Sequence, residues 1–339
     1  MKAKFLPRIR LEDRPRLEKL IPLPTPFIIN VDPADVCNFQ CKFCPTGDRE
    51  LMRKTKGRMH GLLGFDLFIK IVDDILEFEN PLKVLRLYKD GEPLLNPKFS
   101  DMVAYAKQKG CAGVVDTTTN AALLSPELSL QLIEAGLDRI NISLYGVRDD
   151  QYRDFTQTKI SFQQIVDNVA YFYEHSRGKC VVHVKINGDV ISADDQNRFL
   201  DLFGDIADEV FIEHVMACWP EFDLDSRDIH TNPNVGIYGQ AIEEVLVCPY
   251  IFYSFSINSS GIASACFLDW ERRLVIGDVR QESVQQIWQG NLLSEHQRMM
   301  LQGTRKQHPI CGKCDQLRRG MPDNIDPFMR GLLQKIMGK

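Results

Sequence analysis

Three cysteines stand within eight residues in the segment Cys37-Asn-Phe-Gln-Cys41-Lys-Phe-Cys44-Pro. Three thiolates on one loop can hold one side of an iron–sulfur cubane and leave its fourth iron with an open position, which is what a catalytic metal site needs. The alternative is a zinc loop, which requires a fourth ligand. Because His60 is distant along the chain, the spacing favours an iron–sulfur cluster.

A second set of four cysteines lies in the C-terminal third of the chain: Cys248, Cys266, Cys311 and Cys314. The first two flank Gly261, which we expect at the turn of a β-hairpin, and the last two form a CxxC pair. Four thiolates complete a cubane, so this cluster would be structural or would transfer electrons. A four-cysteine zinc ribbon uses the same CxxC element and is the alternative.

Between the two sets, short β-branched runs alternate with helical patterns. This alternation predicts a parallel sheet covered by helices. Six units are too few for a closed eight-stranded barrel, so we expect an α/β fold with a partial (β/α)6 TIM-like barrel. Ligands of such sheets bind at the carboxyl ends of the strands. The six predicted strands are residues 27–32, 83–88, 113–119, 139–145, 180–187 and 209–215.

The predicted organisation has five parts. An N-terminal arm over residues 1–26 precedes the barrel, residues 27–217. A bridge over residues 218–247 leads to a small β-hairpin-plus-helix module, residues 248–320. A C-terminal helix or tail, residues 321–339, ends the chain.

The composition is that of a soluble globular protein, with 44% hydrophobic and 26% charged residues. A net charge of −5 argues against nucleic-acid binding. We find neither a signal-peptide apolar core nor about 20 consecutive apolar residues, so we expect a cytoplasmic protein without membrane contact. Thiols stay reduced in that compartment, so the ten cysteines are better explained by metal binding or catalysis than by disulfides. Cys111 and Cys180 adjoin predicted strands and are expected as small core residues.

The first cysteine motif resembles that of the radical S-adenosylmethionine (SAM) superfamily, and the resemblance covers nearly the whole chain. It implies that Cys37, Cys41 and Cys44 hold a 4Fe–4S cluster whose open iron is chelated by SAM. An electron from a flavodoxin- or ferredoxin-type reductant would then yield a 5′-deoxyadenosyl radical, which removes a hydrogen atom from the substrate. The resemblance places Phe43 against the SAM adenine.

Further segments resemble motifs that contact SAM. Asp90-Gly91-Glu92-Pro93 resembles GGEP, whose backbone and acid receive the SAM ammonium, although Asp90 stands where that motif has its first glycine. The segment ISLYG resembles ISLDG. The SAM contacts that the resemblance implies are Phe43, Gly91, Glu92, Asn120, Ser143, Arg153 and Asn187.

The C-terminal spacing, Cys-x12-Gly-x4-Cys followed by CxxC, resembles the SPASM module in its shortened form, called twitch. That resemblance implies a second 4Fe–4S cluster, held by Cys248, Cys266, Cys311 and Cys314. No cysteine follows Cys314, so one auxiliary cluster is all that this chain can ligate.

The chain is similar to 2-deoxy-scyllo-inosamine dehydrogenases and to the wider SPASM/twitch group, which acts on sugars, aminocyclitols and peptides. We therefore expect oxidation of a small polar substrate, sugar- or aminocyclitol-like, with the auxiliary cluster as electron acceptor. Three alternatives remain: an epimerase in which Cys218 returns a hydrogen atom, a peptide-modifying maturase, and a non-catalytic zinc or redox scaffold. An inert buried thiol is the plainer role for Cys218. Candidate pocket residues on the last two strands are Glu213, His214, His183 and Lys185.

Overall fold

The computed structural model describes residues 2–10 and 14–338. Residues 1 and 11–13 of the predicted arm, and residue 339 of the predicted tail, lie outside the described residues.

The sheet of the described residues has ten strands in the order β1-β7-β6-β5-β4-β3-β2-β8-β9-β10. Strands β2 to β7 are the six predicted ones, and each pairs in parallel with its neighbour in sequence. The prediction of a partial parallel barrel is therefore confirmed. The strands are β1 Lys4–Phe5, β2 Ile28–Val31, β3 Leu82–Arg86, β4 Ala112–Thr119, β5 Arg139–Leu144, β6 Val181–Asn187, β7 Glu209–Glu213, β8 Ser254–Ile257, β9 Ile262–Ser264 and β10 Val275–Asp278.

Helices follow the strands as the sequence pattern predicts. Gly110 adopts the left-handed conformation that ends α4, and Ser125 caps α5 by accepting a hydrogen bond from Leu128 N. The helical run predicted after residue 283 is divided at Gly290 into α9 and α10. The helices are α1 Leu17–Leu20, α2 Arg49–Lys54, α3 Phe65–Ile75, α4 Phe99–Lys109, α5 Pro126–Glu134, α6 Asp149–Thr156, α7 Phe162–Ser176, α8 Ala193–Phe203, α9 Val284–Trp288, α10 Asn291–Leu301, α11 Gln316–Arg319 and α12 Met329–Met337.

Both edges of the barrel sheet are extended by other parts of the chain. Strand β1 of the arm pairs in parallel with β7, and β8 of the C-terminal module pairs in parallel with β2. The N-terminal arm thus contributes strand β1 and helix α1 to the structure. The β8–β9 hairpin turns at Gly261, whose φ of 89° favours glycine, as predicted.

The core lies between the sheet and the helices that cover it. Phe68, Phe99 and Phe172 are fully buried there, each contributing about 1.5–3 kcal/mol by removal from water. Cys111 and Cys180 are also buried, which agrees with the prediction that they are core residues. None of the helices in the described residues has the length and apolar content needed to cross a bilayer.

Candidate active site

The loop that carries the first three cysteines follows β2 and is fixed by the end of α6. The amide of Lys42 donates to Phe155 O at 3.1 Å, and the Cys44 amide donates to Cys41 O at 3.2 Å. Gly47 packs against this loop so closely that a Cβ there would lie 2.4 Å from Cys41 O. These backbone contacts help to hold the loop in a fixed shape.

The thiols of Cys37, Cys41 and Cys44 are close neighbours. Burial raises the pKa of Cys37 to about 12, and the nearby Glu92 carboxylate adds to the rise. Burial also raises the pKa of Cys41, and the other two thiols raise it further. Such thiols become thiolates when a cation binds among them. A set of three free, converging thiols fits a cluster with one open iron.

The turn after β3 brings the DGEP segment against this loop. A Cβ on Gly91 would lie 2.2 Å from Val36 O and 2.3 Å from Ala34 O, so only glycine fits. The Glu92 amide donates to Val36 O at 3.0 Å. The glycine predicted at this turn therefore allows the backbones of the two loops to approach each other closely.

The Glu92 carboxylate is buried beside Cys37 and is held on both oxygens. It accepts from the Thr119 hydroxyl at 2.6 Å, from Asn120 N at 2.9 Å and from Leu94 N at 3.1 Å. Burial raises the pKa of Glu92 to about 7, against the lowering effect of these donors. The Asn120 side chain in turn donates to Asn38, next to Cys37, at 2.8 Å. Glu92 and Asn120 are thus brought to the cysteine loop.

Asp90, which replaces the motif's first glycine, is the centre of a buried charge cluster. Both of its carboxylate oxygens accept from Lys89 Nζ, at 2.8 and 2.9 Å. Arg272 Nη2 lies 2.8 Å from Asp90, and Arg58 Nη1 lies 3.9 Å from it. Burial raises the pKa of Asp90, but Arg58, Lys89 and Arg272 outweigh it, so the pKa falls below its usual value. We call Asp90, Lys89, Arg58 and Arg272 the Asp90 cluster.

Phe43 belongs to an aromatic group beside the first three cysteines. Its ring centroid lies 5.4 Å from that of Phe155 and 5.7 Å from that of Tyr145. Burial raises the pKa of Tyr145, and the thiols of Cys41, Cys37 and Cys44 raise it further, so the phenol adjoins all three. We did not single out Tyr145 from the sequence. Its signal was its position in ISLYG, where the similar motif has aspartate.

The other predicted SAM contacts are more scattered. Ser143 lies in β5 directly opposite Lys185 of β6. Asn187 ends β6, and its side chain accepts from Asp189 N at 3.4 Å, a local cap. Arg153 is exposed on α6. In the described part of the chain, Arg153 makes no hydrogen bond or ion pair with the cysteine loop.

Cys248, Cys266, Cys311 and Cys314 line one small, mainly apolar cavity in the C-terminal module. Burial raises the pKa of Cys248 to about 12, and Cys314 and Cys311 add to the rise. Four free thiols around a shared cavity fit a fully ligated cluster. In the described part of the chain, no three His, Cys, Asp or Glu side chains are grouped closely enough to hold a single metal ion.

Two residues that sequence reasoning missed hold the CxxC loop in place. The buried Arg305 donates through Nη1 to Cys311 O at 2.7 Å. The ring of His308 accepts from Cys311 N at 3.2 Å through Nδ1. An isolated arginine or histidine near a CxxC pair carries no sequence signal that marks this role.

A larger cavity of about 580 Å³ lies on the open side of the barrel, and we call it the central cavity. It is bounded by the arm, by strands β2, β3, β6 and β7, and by the loop after Cys266. Lys185, Glu213 and Cys218 line it, and Lys185 Nζ donates to Glu213 at 2.5 Å. Burial raises the pKa of Cys218, and Cys314 and Cys44 add to the rise.

The two histidines proposed beside them do not line the central cavity. His183 is buried, and its Nδ1 lies 3.2 Å from Glu209. His214 is partly exposed, and its Nδ1 lies 2.8 Å from Asp189. Strand alternation correctly set His183 and Lys185 on one face, but only Lys185 reaches the cavity.

Two family models match separate parts of the chain. Residues 31–196 match the family model of the radical SAM superfamily, and residues 248–315 match SPASM, an iron–sulfur cluster-binding domain. A curated relative from Pyrococcus furiosus is the tungsten-containing aldehyde ferredoxin oxidoreductase cofactor-modifying protein. It is 33% identical over 108 residues, which are 32% of this chain and 28% of that protein. Matched segments cover about a quarter to a half of the curated relatives.

Solved structures share the fold over most of the chain. BtrN in complex with AdoMet and 2-DOIA has a TM-score of 0.57 at 17% identity, over 88% of this chain and 97% of BtrN. SuiB of Streptococcus suis bound to S-adenosylmethionine has a TM-score of 0.59 at 14% identity, over 83% of this chain and 70% of SuiB. At these identities the likeness concerns the fold alone.

Proposed function

The chain belongs to the radical SAM superfamily and carries a SPASM-type module, and from this premise we propose that it oxidises a small polar, hydroxyl-bearing substrate, sugar- or aminocyclitol-like. We propose Cys37, Cys41 and Cys44 as ligands of the SAM-binding cluster. We propose the four C-terminal cysteines as ligands of the auxiliary cluster.

The observation that carries this proposal is the position of the central cavity. Tyr250 and Leu268 line both the central cavity and the four-cysteine cavity, so the two are separated by a wall one side chain thick. On another side the central cavity reaches Lys89, next to the DGEP turn. A substrate in it would lie between the two cysteine sites, as electron transfer to the second one requires.

When bound, SAM and its cluster supply hydrogen-atom abstraction, and the auxiliary cluster supplies one-electron oxidation. A secondary alcohol becomes a ketone by losing one hydrogen atom, one electron and one proton. For the proton we propose the Glu213 carboxylate, which faces the cavity and is held by Lys185. Glu92 and Asn120 would orient SAM at the cysteine loop, because both are fixed against it. An external electron donor of flavodoxin or ferredoxin type belongs to the same proposal.

Epimerisation is the second candidate, and the position of Cys218 is the observation that favours it. This thiol lines the central cavity and adjoins cysteines of both sets. A thiol there can return a hydrogen atom to a substrate carbon from the side opposite to its removal. The oxidised product would then be absent, and the substrate mass would not change.

The test is anaerobic incubation of the iron-loaded protein with SAM, a reductant and a panel of sugars and aminocyclitols. We expect one substrate to lose two mass units while one 5′-deoxyadenosine forms per turnover. The matched control is the variant with Cys37, Cys41 and Cys44 replaced by Ala, which should form neither product. A substrate that consumes SAM without a mass change, and inverts one carbon, would replace oxidation by epimerisation. Absence of SAM cleavage in the loaded wild type would refute both.

A further inference from the structure

The lining of the central cavity is positively charged, whereas the whole chain has a negative net charge. The sequence has a net charge of −5, yet seven cationic side chains and only two acidic ones line this cavity. The cations come from the arm, from β3 and the residues after it, and from β6. A volume of about 580 Å³ is that of a small-molecule site. The cavity therefore concentrates positive charge where a substrate would bind.

Three of these seven cations have a carboxylate of their own. Arg14 pairs with Asp323 at 2.8 Å, and Lys185 pairs with Glu213 at 2.5 Å. Lys89 is held by Asp90, as described above. These pairs account for part of the positive lining without any ligand.

Arg8 and Arg86 differ, because both share a single carboxylate. Their guanidinium groups lie 3.4 and 3.5 Å from the same oxygen of Asp116. The 3.5 Å contact is made by the buried Nε of Arg86, which forms no hydrogen bond, whereas Arg8 also donates to the Tyr88 hydroxyl. We call Arg8 and Arg86 the arginine pair. One carboxylate cannot neutralise two guanidiniums, and a buried donor without an acceptor is costly.

Cross-strand register explains why Arg86 faces the cavity, which Arg8 reaches from the arm. Asn30 of β2, Arg86 of β3 and Asp116 of β4 are directly opposite one another, so their side chains share the inner face. Arg139 of β5 continues the row, but it has its own carboxylate, Glu209, at 2.6 Å and does not line the cavity. Only the part of this row that faces the cavity carries surplus positive charge.

We propose that the substrate carries a phosphate group and that the arginine pair binds it. Guanidinium groups bind phosphate through paired, charge-assisted hydrogen bonds, and a dianion neutralises the surplus that Asp116 leaves. The hydroxyl-bearing part of the molecule then extends toward Lys185, Glu213 and Cys218 in the same cavity. This inference rests on the proposed function. It narrows the proposed substrates to phosphorylated, hydroxyl-bearing molecules.

The test is calorimetric titration of the iron-loaded full chain with inorganic pyrophosphate. We expect wild-type binding with a Kd below about 1 mM. Arg86→Gln and Arg8→Gln should each weaken it about tenfold or more, and Arg86→Lys should weaken it less. The matched control is Arg139→Gln, which removes a charge from the same row outside the cavity and should change Kd by less than about twofold. Iron content and circular dichroism establish that each variant is folded.

Three results would overturn the inference: no binding of pyrophosphate to the wild type, an equal loss in Arg139→Gln, or binding of citrate with higher affinity than pyrophosphate. SAM cleavage is measured on the same preparations, so that failure of the phosphate inference can be distinguished from failure of the proposed function. If SAM is cleaved but pyrophosphate does not bind, the phosphate inference alone is wrong. If SAM is not cleaved, the proposed function fails whatever the titration shows.

Discussion

Replacing Asp90 by Asn tests whether the Asp90 cluster holds the two halves of the protein together. Its side chain is 1% exposed, and those of Lys89, Arg58 and Arg272 are 1%, 0% and 6% exposed. Removing one partner of a buried ion pair costs about 3–5 kcal/mol, because the other charge stays buried without compensation. Arg272 comes from the C-terminal module and Lys89 from the barrel, so the loss falls on their junction.

The expected result is a large fall in thermal stability. For 339 residues, the unfolding entropy of about 0.7 kcal/mol/K converts a loss of about 3–5 kcal/mol into a fall of about 4–7 °C in the apparent melting temperature at a fixed scan rate. Asp90→Gly, which restores the motif glycine, removes the same carboxylate and should destabilise similarly. The folded-state pKa of Asp90 is lowered, so its contribution is present at neutral pH and is lost only in acid. Burial and the Asp90 charge raise the pKa of Asp32 to about 8, and removing Asp90 lowers that pKa, so the stability difference between wild type and variant should shrink as the pH rises from about 6 to 8.

The matched control is Asp101→Asn, because Asp101 pairs with Lys98 at 3.0 Å on the exposed face of α4. Exposed ion pairs contribute little to stability, so this variant should have the same melting temperature as the wild type. Adding Lys89→Gln to Asp90→Asn should recover part of the loss, since it removes one uncompensated cation. If Asp90→Asn melts within about 2 °C of Asp101→Asn at unchanged iron content, the cluster is not the stabilising element that its burial indicates.

Three further predictions concern the cofactor sites. Gly91→Ala should weaken SAM binding about tenfold or more in equilibrium dialysis, because its Cβ would lie 2.2 Å from Val36 O; unchanged affinity would place SAM elsewhere. Replacing Cys311 and Cys314 by Ala should reduce the iron content from about eight to about four per chain and spare SAM binding, provided that circular dichroism shows intact folding. Cys218→Ala should oxidise substrate as the wild type does; solvent deuterium at a product carbon that disappears in the variant would indicate an epimerase instead.

The barrel could be predicted because its determinants are local. Strand β4 and helix α5, for example, follow from a β-branched run and from Ser125-Pro126, a cap followed by a first-turn proline. The pairing of β8 with β2 could not be predicted, since the partners are more than 200 residues apart. A two-residue strand such as β1 is too short to produce a period-2 pattern at all.

The candidate site divides in the same way. The two sets of cysteine ligands could be predicted from their spacing in the sequence, and the glycine at Gly91 could be predicted from its motif. The partners of Asp90 could not be predicted, because Arg58 and Arg272 reach it from distant segments and resemble any surface arginine in the sequence. Arg153 is exposed on α6, and its predicted contact with SAM stays a prediction.

The ladder between β2 and β8 fixes the relation of the two cysteine sites. Ile28 is opposite Ser254 and Val31 is opposite Ile257, and the Asp32 amide continues the contact by donating to Ile257 O at 2.9 Å. Strand β2 leads into the loop of the first three cysteines, while β8 runs between Cys248 and Cys266. One pair of hydrogen-bonded strands therefore sets the separation of the sites. Residues 218–247 also contact both parts, since Arg227 pairs with Asp48 just after the first cysteine loop and Pro220 O accepts from Trp270 Nε1. A proline in β2 would remove a donor from the ladder and should disturb both sites together.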